Sequence, residues 1–189
     1  MPEISATGKG DGALGPNPHA DSFDPRSFPI EHRWFERPES IHGLSHTRRV
    51  LIHACEIAAS LDLTDPEFES LMLAVAWHDI GRTHDGREPD HGAKSVARIE
   101  ELGLATDVHP QILACLLFAV ELHSVPDETA LRQAGAMDDA ESLLRVLWVL
   151  KDADGLDRVR IADLDPGQLR HPVSRDRVAE AWDLLKAMP

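Results

Sequence analysis

The sequence predicts an all-α fold, an irregular bundle of about five to seven helices. Apolar residues recur at intervals of three and four along most of the chain after residue 44, as they do on the buried face of a helix. Segments of alternating polar and apolar residues between turn pairs, which indicate strands, are missing from the sequence. With 189 residues, 42% of them hydrophobic, the chain is long enough for one core and too short for two full-sized domains.

The chain is expected to divide into a flexible N-terminal arm, residues 1–28, and a single helical domain, residues 29–189. Glycine and proline are frequent in the arm, and its apolar residues follow no helical period. The first 24 residues lack the charged start and apolar run of a signal peptide, and no apolar run of 18 residues occurs. We therefore expect a cytoplasmic protein. Cys55 and Cys115 lie in apolar helical patterns and are expected to be buried free thiols.

The formal net charge of −14 limits the possible partners. It argues against nucleic-acid polymers and membrane surfaces, because both are polyanions that attract basic patches. A phosphate-containing ligand fits this charge only if bound cations and a few arginines reverse the field locally, so the electrostatics favour a metal site. The sequence contains eleven histidines, several of them beside acids at predicted helix ends. The oligomeric state is not indicated.

The first helix is predicted from Ser45 onwards, with an apolar stripe through Leu61 that includes His46. Four later helices follow from the same periodicity and from prolines near their first turns. They are predicted over residues 91–102, 110–123, 138–157 and 174–186.

The second helix has the clearest boundaries. Thr64 and Glu67 form a capping-box pattern at its start, with a proline in the first turn. The helix is predicted to run as far as the pair His78 and Asp79, with Gly81 as its C-terminal cap. This interpretation places the pair in the last turn, where both side chains can point into a cleft.

Three groups of residues carry potential metal-binding chemistry: residues 42–50 open one helix, residues 78–82 close the next, and residues 151–157 end a long apolar helix. Each of the first two groups, taken alone, is equally compatible with ordinary helix capping. The third places acids directly after a helix that is expected to be buried. Because an unpaired buried carboxylate costs several kcal/mol, convergence of histidines and carboxylates between helices is best explained by a cation.

The order of a histidine, a His-Asp pair and a distal Ala-Asp resembles the HD superfamily of metal-dependent phosphohydrolases, over about residues 42–160. The resemblance implies an all-helical fold and one or two divalent ions, such as manganese, iron, nickel, zinc or magnesium. It also implies attack by metal-activated water on a phosphate ester. The residues that match the family's metal ligands are His46, His78, Asp79 and Asp154, with Asp152 as the alternative to Asp154.

His91 and His123 extend the resemblance to members of the superfamily with two metals, in which Asp79 would bridge both ions. As alternatives, these two histidines are ordinary helix-terminal residues or contact the substrate phosphate directly. The candidate catalytic residues are Asp79, Arg82 and His42. His42 is interpreted as an outer-sphere proton donor or hydrogen-bond partner.

Three cationic side chains are candidates for phosphate binding, although solvated surface charge is the favoured interpretation of each. The set consists of Arg82, Arg49 and Lys94.

Subfamily signatures narrow the activity that the resemblance implies. Arg82 and Thr83 stand where the alarmone hydrolases carry two adjacent acids, and a chain without tyrosine lacks the signature of the cyclic dinucleotide phosphodiesterases. The remaining class is a stand-alone hydrolase that cleaves a phosphate ester or anhydride of a nucleotide or other small molecule. A di-iron oxygenase of the same fold, and a non-catalytic nucleotide-binding regulatory module, are the alternatives.

Overall fold

The computed structural model describes residues 23–189, and in that range the chain forms eight α-helices and three short 3-10 helices. The α-helices are α1 (Leu44–Ala58), α2 (Asp65–Trp77), α3 (His91–Glu101), α4 (Pro110–Leu122), α5 (Asp127–Ala134), α6 (Ala140–Leu156), α7 (Pro172–Asp176) and α8 (Val178–Ala187). The 3-10 helices are His32–Trp34, Asp157–Ile161 and Pro166–Gln168. Residues 23–189 contain no strand, and the predicted all-α fold class is confirmed.

The long helix α6 lies at the centre of the bundle and packs against α1, α2 and α4. Its apolar side chains are buried on more than one face, as expected of a helix enclosed by other helices. They are Leu143, Val146, Leu147, Val149, Leu150, Ala153 and Leu156. The helix α3 packs against α4 on the outside of this group.

Two helices differ from the prediction. The helix α5 was not predicted. Pro126 occupies its N-cap position, where a proline without an N–H group is tolerated. The predicted last helix, residues 174–186, is divided into α7 and α8, since the backbone leaves helical geometry at Arg177 (φ −94°, ψ 5°).

Residues 1–22 of the predicted arm lie outside the described residues, and the arm's boundary stays a prediction. The rest of that segment contacts the domain: Phe23 lies edge-on to Phe68 of α2, with 5.5 Å between the ring centroids, and 5.8 Å from Phe28. Cys55 and Cys115 are buried free thiols, as predicted. None of the described helices combines the length and apolarity that a bilayer crossing requires.

Gly81 allows a close approach between helices and does not act as a left-handed C-cap. The helix α2 ends at Trp77, and the φ angle of Gly81 is not positive. A Cβ atom on Gly81 would lie 2.4 Å from the backbone carbon of Lys94, and its N–H donates to Ser95 Oγ at 3.1 Å. The glycine therefore lets the turn after α2 rest directly on α3.

Gly92 has the same role at the next helix pair. A Cβ atom there would lie 2.4 Å from the carbonyl oxygen of Glu121 and 2.6 Å from that of Val120. The start of α3 therefore approaches the end of α4 more closely than any side chain would allow. This approach brings His91 beside His123.

Candidate metal centre

All six residues predicted as metal ligands meet at one place, where several helix ends surround the last turn of α6. They are His46 in the first turn of α1, His78 and Asp79 after α2, His91 at the start of α3, His123 after α4, and Asp154 in α6.

One group of donors surrounds the Nε2 atom of His46. This atom lies 3.1 Å from His78 Nε2, 3.4 Å from Asp154 Oδ1 and 3.5 Å from Asp79 Oδ2. The four donor atoms are two imidazole nitrogens and two carboxylate oxygens, a set that suits a divalent ion.

A second group lies on the other side of Asp79. His91 Nε2 and His123 Nε2 are 2.7 Å apart, and they lie 3.3 Å and 3.5 Å from Asp79 Oδ1. The two oxygens of Asp79 therefore face different pairs of imidazoles. One carboxylate therefore contacts both groups of donors.

The hydrogen bonds of the rings leave the Nε2 lone pairs free. Nδ1 of His78, His91 and His123 each lies 2.5–2.7 Å from the carbonyl oxygen three residues earlier, to which it donates. The proton of each of these three rings is thus on Nδ1, and the bare Nε2 atoms of His91 and His123 face each other across 2.7 Å. Asp79 Oδ1 is buried with no hydrogen-bond partner among the described residues. Facing lone pairs beside an unsatisfied carboxylate oxygen are unfavourable unless a cation lies between them, so these residues fit a metal ion.

Burial keeps two of the clustered histidines neutral, which is the state that metal binding requires. It lowers the pKa of His78 to about 3 and that of His91 to about 4, so both rings are neutral at physiological pH. Burial by itself raises the pKa of Asp79, but the surrounding imidazoles, His78 foremost, hold it well below its usual range. Burial also lowers the pKa of His46, but hydrogen bonds to the carboxylates of Asp157 and Asp79 more than offset this.

The two candidates for the distal carboxylate have different surroundings. Asp152 accepts hydrogen bonds from the backbone N–H groups of Arg170 and His171, both at 2.8 Å, and lies 2.9 Å from the His171 ring. It contacts none of the clustered histidines. Asp154 therefore supplies the distal carboxylate of the cluster.

Arg49 and Asp157 form a pair that the sequence interpretation did not predict. Arg49 is neither a phosphate ligand facing the cleft nor a surface charge: it is buried, and its Nε donates to Asp157 Oδ1 at 2.6 Å. It lies three residues after His46 and so shares the inward face of α1. Asp157 in turn lies 2.7 Å from His46 Nδ1. The only signal for Asp157 was its place in the acidic run three residues after Asp154.

Arg82 and His42 both line the cleft above the cluster. Arg82 is buried, its Nη2 donates to the Gly86 carbonyl at 2.9 Å, and its Nε has no hydrogen-bond partner among the described residues. His42 Nδ1 lies 3.0 Å from Arg160 Nη2 and 3.3 Å from Asp79 Oδ2.

Lys94, the third candidate for phosphate binding, pairs with Glu88 at 2.7 Å and does not line the cleft.

The cleft has a volume of about 1110 Å³. Several cations in its wall are already paired: Lys151 and Arg170 each lie 2.6 Å from Asp127, and Arg158 is paired with Asp163.

A smaller apolar cavity of about 460 Å³, between the N-terminal phenylalanines and α2, lies away from the histidine cluster.

The fold and the cluster define a helical domain with a His/Asp site that can hold a metal ion. The chain belongs to the HD domain family, whose family model matches residues 43–159, more than half of its length. Members of this family are largely metal-dependent phosphohydrolases. Neither the curated proteins nor the solved structures gave a match.

Proposed function

We propose that the chain is a metal-dependent phosphohydrolase that cleaves a phosphate ester or anhydride of a nucleotide or other small molecule. The observation that carries the proposal is the convergence of four imidazole Nε2 atoms on the two oxygens of Asp79, at the floor of a cleft of about 1110 Å³. Family membership supports the reaction class.

Two divalent ions fit the donor groups. His46, His78, Asp79 and Asp154 would hold one, and Asp79 with His91 and His123 would hold the other. Mixed imidazole and carboxylate donors suit manganese, iron, nickel, zinc or magnesium. Bound ions of this kind supply an activated water as nucleophile and offset the charge of the phosphoryl group.

Arg82 and Arg87 are the cations of the cleft that are available for an anionic substrate. Within residues 23–189 neither forms an ion pair, and the Nε of Arg82 is without a partner. The bond from Arg82 Nη2 to Gly86 holds the guanidinium in place before any ligand arrives. Arg82 is therefore proposed to bind the phosphate, with Arg87 at the rim.

His42 is proposed to deliver a proton. Arg160 Nη2 lies 3.0 Å from His42 Nδ1, closer than the 3.3 Å between Nδ1 and Asp79 Oδ2, and a bond donated by Arg160 would place the ring proton on Nε2. His42 Nε2–H in the wall of the cleft is suited to donate to the leaving-group oxygen.

The test compares metal content and phosphate release for wild type and Asp79→Ala. We expect wild type loaded with Mn²⁺ to hold close to two ions and to release phosphate from a panel of nucleotides and sugar phosphates. Asp79→Ala should lose bound metal and at least about a hundredfold in turnover, because both sites share this carboxylate. Asp183→Ala, which changes an exposed acid on α8, is the matched control.

Undiminished phosphate release by Asp79→Ala would refute the proposal. Oxygen consumption by the iron-loaded protein without phosphate release would indicate the oxygenase alternative. Tight binding of one nucleotide without turnover would indicate a regulatory module.

A further inference from the structure

Asp157 is a fully buried carboxylate directly behind a metal-site histidine. It is the first residue of the 3-10 helix that follows α6, and its Oδ2 lies 2.7 Å from His46 Nδ1. Arg49 donates to it twice, from Nε at 2.6 Å and from Nη2 at 3.1 Å, and Arg160 Nη1 lies 3.4 Å away. Every lone pair of this buried charge therefore has a donor nearby.

His46 differs from the other histidines of the cluster in this partner. The Nδ1 atoms of His78, His91 and His123 donate to neutral main-chain carbonyls, whereas His46 donates to a carboxylate. A carboxylate holds the proton on Nδ1 more strongly, and it makes the ring a better electron donor through Nε2. Nε2 is the atom that faces His78 and Asp79.

Arg49 determines how Asp157 is oriented. Its two donors bind the two carboxylate oxygens, while its Nη1 donates to the Met188 carbonyl near the end of the chain at 2.7 Å. His46 and Arg49 lie three residues apart on α1, so they reach the same carboxylate from one helix face. The arrangement connects α1, the end of α6 and the C-terminal residues behind the metal centre.

We propose that Asp157 is a positioning residue for His46, and that the Asp157–Arg49 pair sets the metal affinity of the site that contains His46. The site formed by His91 and His123 does not contact this pair. The inference rests on the proposed metal centre.

The variant Asp157→Asn tests the role of the carboxylate. The amide offers a single oxygen, whereas His46 Nδ1 and the two Arg49 donors use both carboxylate oxygens. The neutral amide also holds the proton on His46 Nδ1 less strongly than the carboxylate does, so the ring becomes a poorer electron donor through Nε2. We expect the affinity of the His46 site for Mn²⁺ to fall about 10–100-fold, with binding at the other site retained.

A second change should restore binding. In the double variant Asp157→Asn with Arg49→Leu, the two Arg49 donors are gone and no longer compete with His46 Nδ1 for the amide oxygen. Mn²⁺ affinity should recover although thermal stability falls further. A purely structural role for the pair predicts the opposite order, with the double variant binding worst. Asp152→Asn is the control: this buried acid lies outside the cluster, so its loss lowers stability and leaves Mn²⁺ affinity unchanged.

The measurements are calorimetric titration of the metal-free full chain with Mn²⁺ alone, and the unfolding temperature of each metal-free variant. The ¹⁵N shifts of the histidine rings in metal-free wild type give a result independent of any variant, and His46 should be protonated on Nδ1. Protonation on Nε2, unchanged Mn²⁺ affinity in Asp157→Asn, or weaker binding by the double variant would overturn the inference. A wild type that binds no Mn²⁺ overturns the proposed function itself, and this inference with it.

Discussion

At the scale of single residues, the buried histidines fall into two kinds. Those of the cluster have Nδ1 fixed by a carbonyl or carboxylate, with Nε2 free for a ligand. His53, which the sequence gave no reason to single out, is equally buried, but neither of its nitrogens has a hydrogen-bond partner among residues 23–189. Burial outweighs the nearby acids and lowers its pKa to about 4.

This pKa predicts acid sensitivity. The unfolded His53 has a pKa near about 6.5, so between that value and about 4 the unfolded state binds more protons than the folded state. The stability associated with the neutral ring is present above pH 6.5 and lost as the pH falls towards 4. From pH 7 to pH 5 the loss is about 2 kcal/mol, and His53→Leu should lack it.

Urea unfolding of both metal-free proteins at the two pH values measures this difference. The control is His32→Leu, since the His32 side chain is 67% exposed, and it should retain the pH dependence of wild type. Equal losses in wild type and His53→Leu would show that His53 is not responsible.

At the scale of elements, the ends of α2 and α4 repeat one arrangement. Each helix ends one residue before a histidine, His78 or His123, whose backbone keeps helical angles as the C-cap. Each ring then donates from Nδ1 to the carbonyl three residues earlier. The ends of α2 and α4 thereby place the Nε2 atoms of His78 and His123 in the same space between the helices. Gly81 and Gly92 allow α3 to lie close enough to close this space.

Gly92→Ala should open the second metal site. The new Cβ would clash with two carbonyl oxygens of α4, at 2.4 Å and 2.6 Å, and force the start of α3 outwards with His91. We expect loss of the second Mn²⁺ equivalent and a destabilisation of about 1–3 kcal/mol. Gly135→Ala is the matched control, because its Cβ would meet only ordinary contacts, the nearest at 3.4 Å.

Mn²⁺ titration and urea unfolding of both glycine variants check this prediction. A Gly92→Ala protein that still binds two ions would show that the close approach of α3 and α4 is not needed for the site.

At the scale of the whole molecule, the cluster joins residues that are far apart in the sequence, from His46 in α1 to Asp154 in α6. Metal binding should therefore stabilise the bundle as a unit, since the ligands come together only in the folded chain. At free Mn²⁺ one hundred times the dissociation constant, the gain is about 2.7 kcal/mol, or roughly 5–10 °C in Tm.

Thermal unfolding with Mn²⁺ and after treatment with a chelator measures this gain. Readdition of Mn²⁺ should restore the higher Tm in wild type, whereas Asp79→Ala should show the lower Tm in both conditions. The same Tm with and without Mn²⁺ in wild type would contradict the prediction.

The sequence by itself predicted the all-α class and placed most helices to within a few residues, because periodicity and the capping box at Thr64 are local signals. It also singled out the histidines and acids that the structure brings together. The prediction failed at Pro126 and Gly81. Proline and glycine can each either end a helix or have another local role, and only the packing of the neighbouring helices selects between the two.

Only the tertiary structure decided which acid completes the cluster and that Arg49 and Asp157 pair behind His46. Asp152 and Asp154 are two positions apart, about 200° around a helix, so one must face away from the site. Periodicity does not indicate which, because α6 is buried on more than one face. The pairing of Arg49 with Asp157 spans 108 positions, and sequence patterns do not report contacts formed only when separate helices pack.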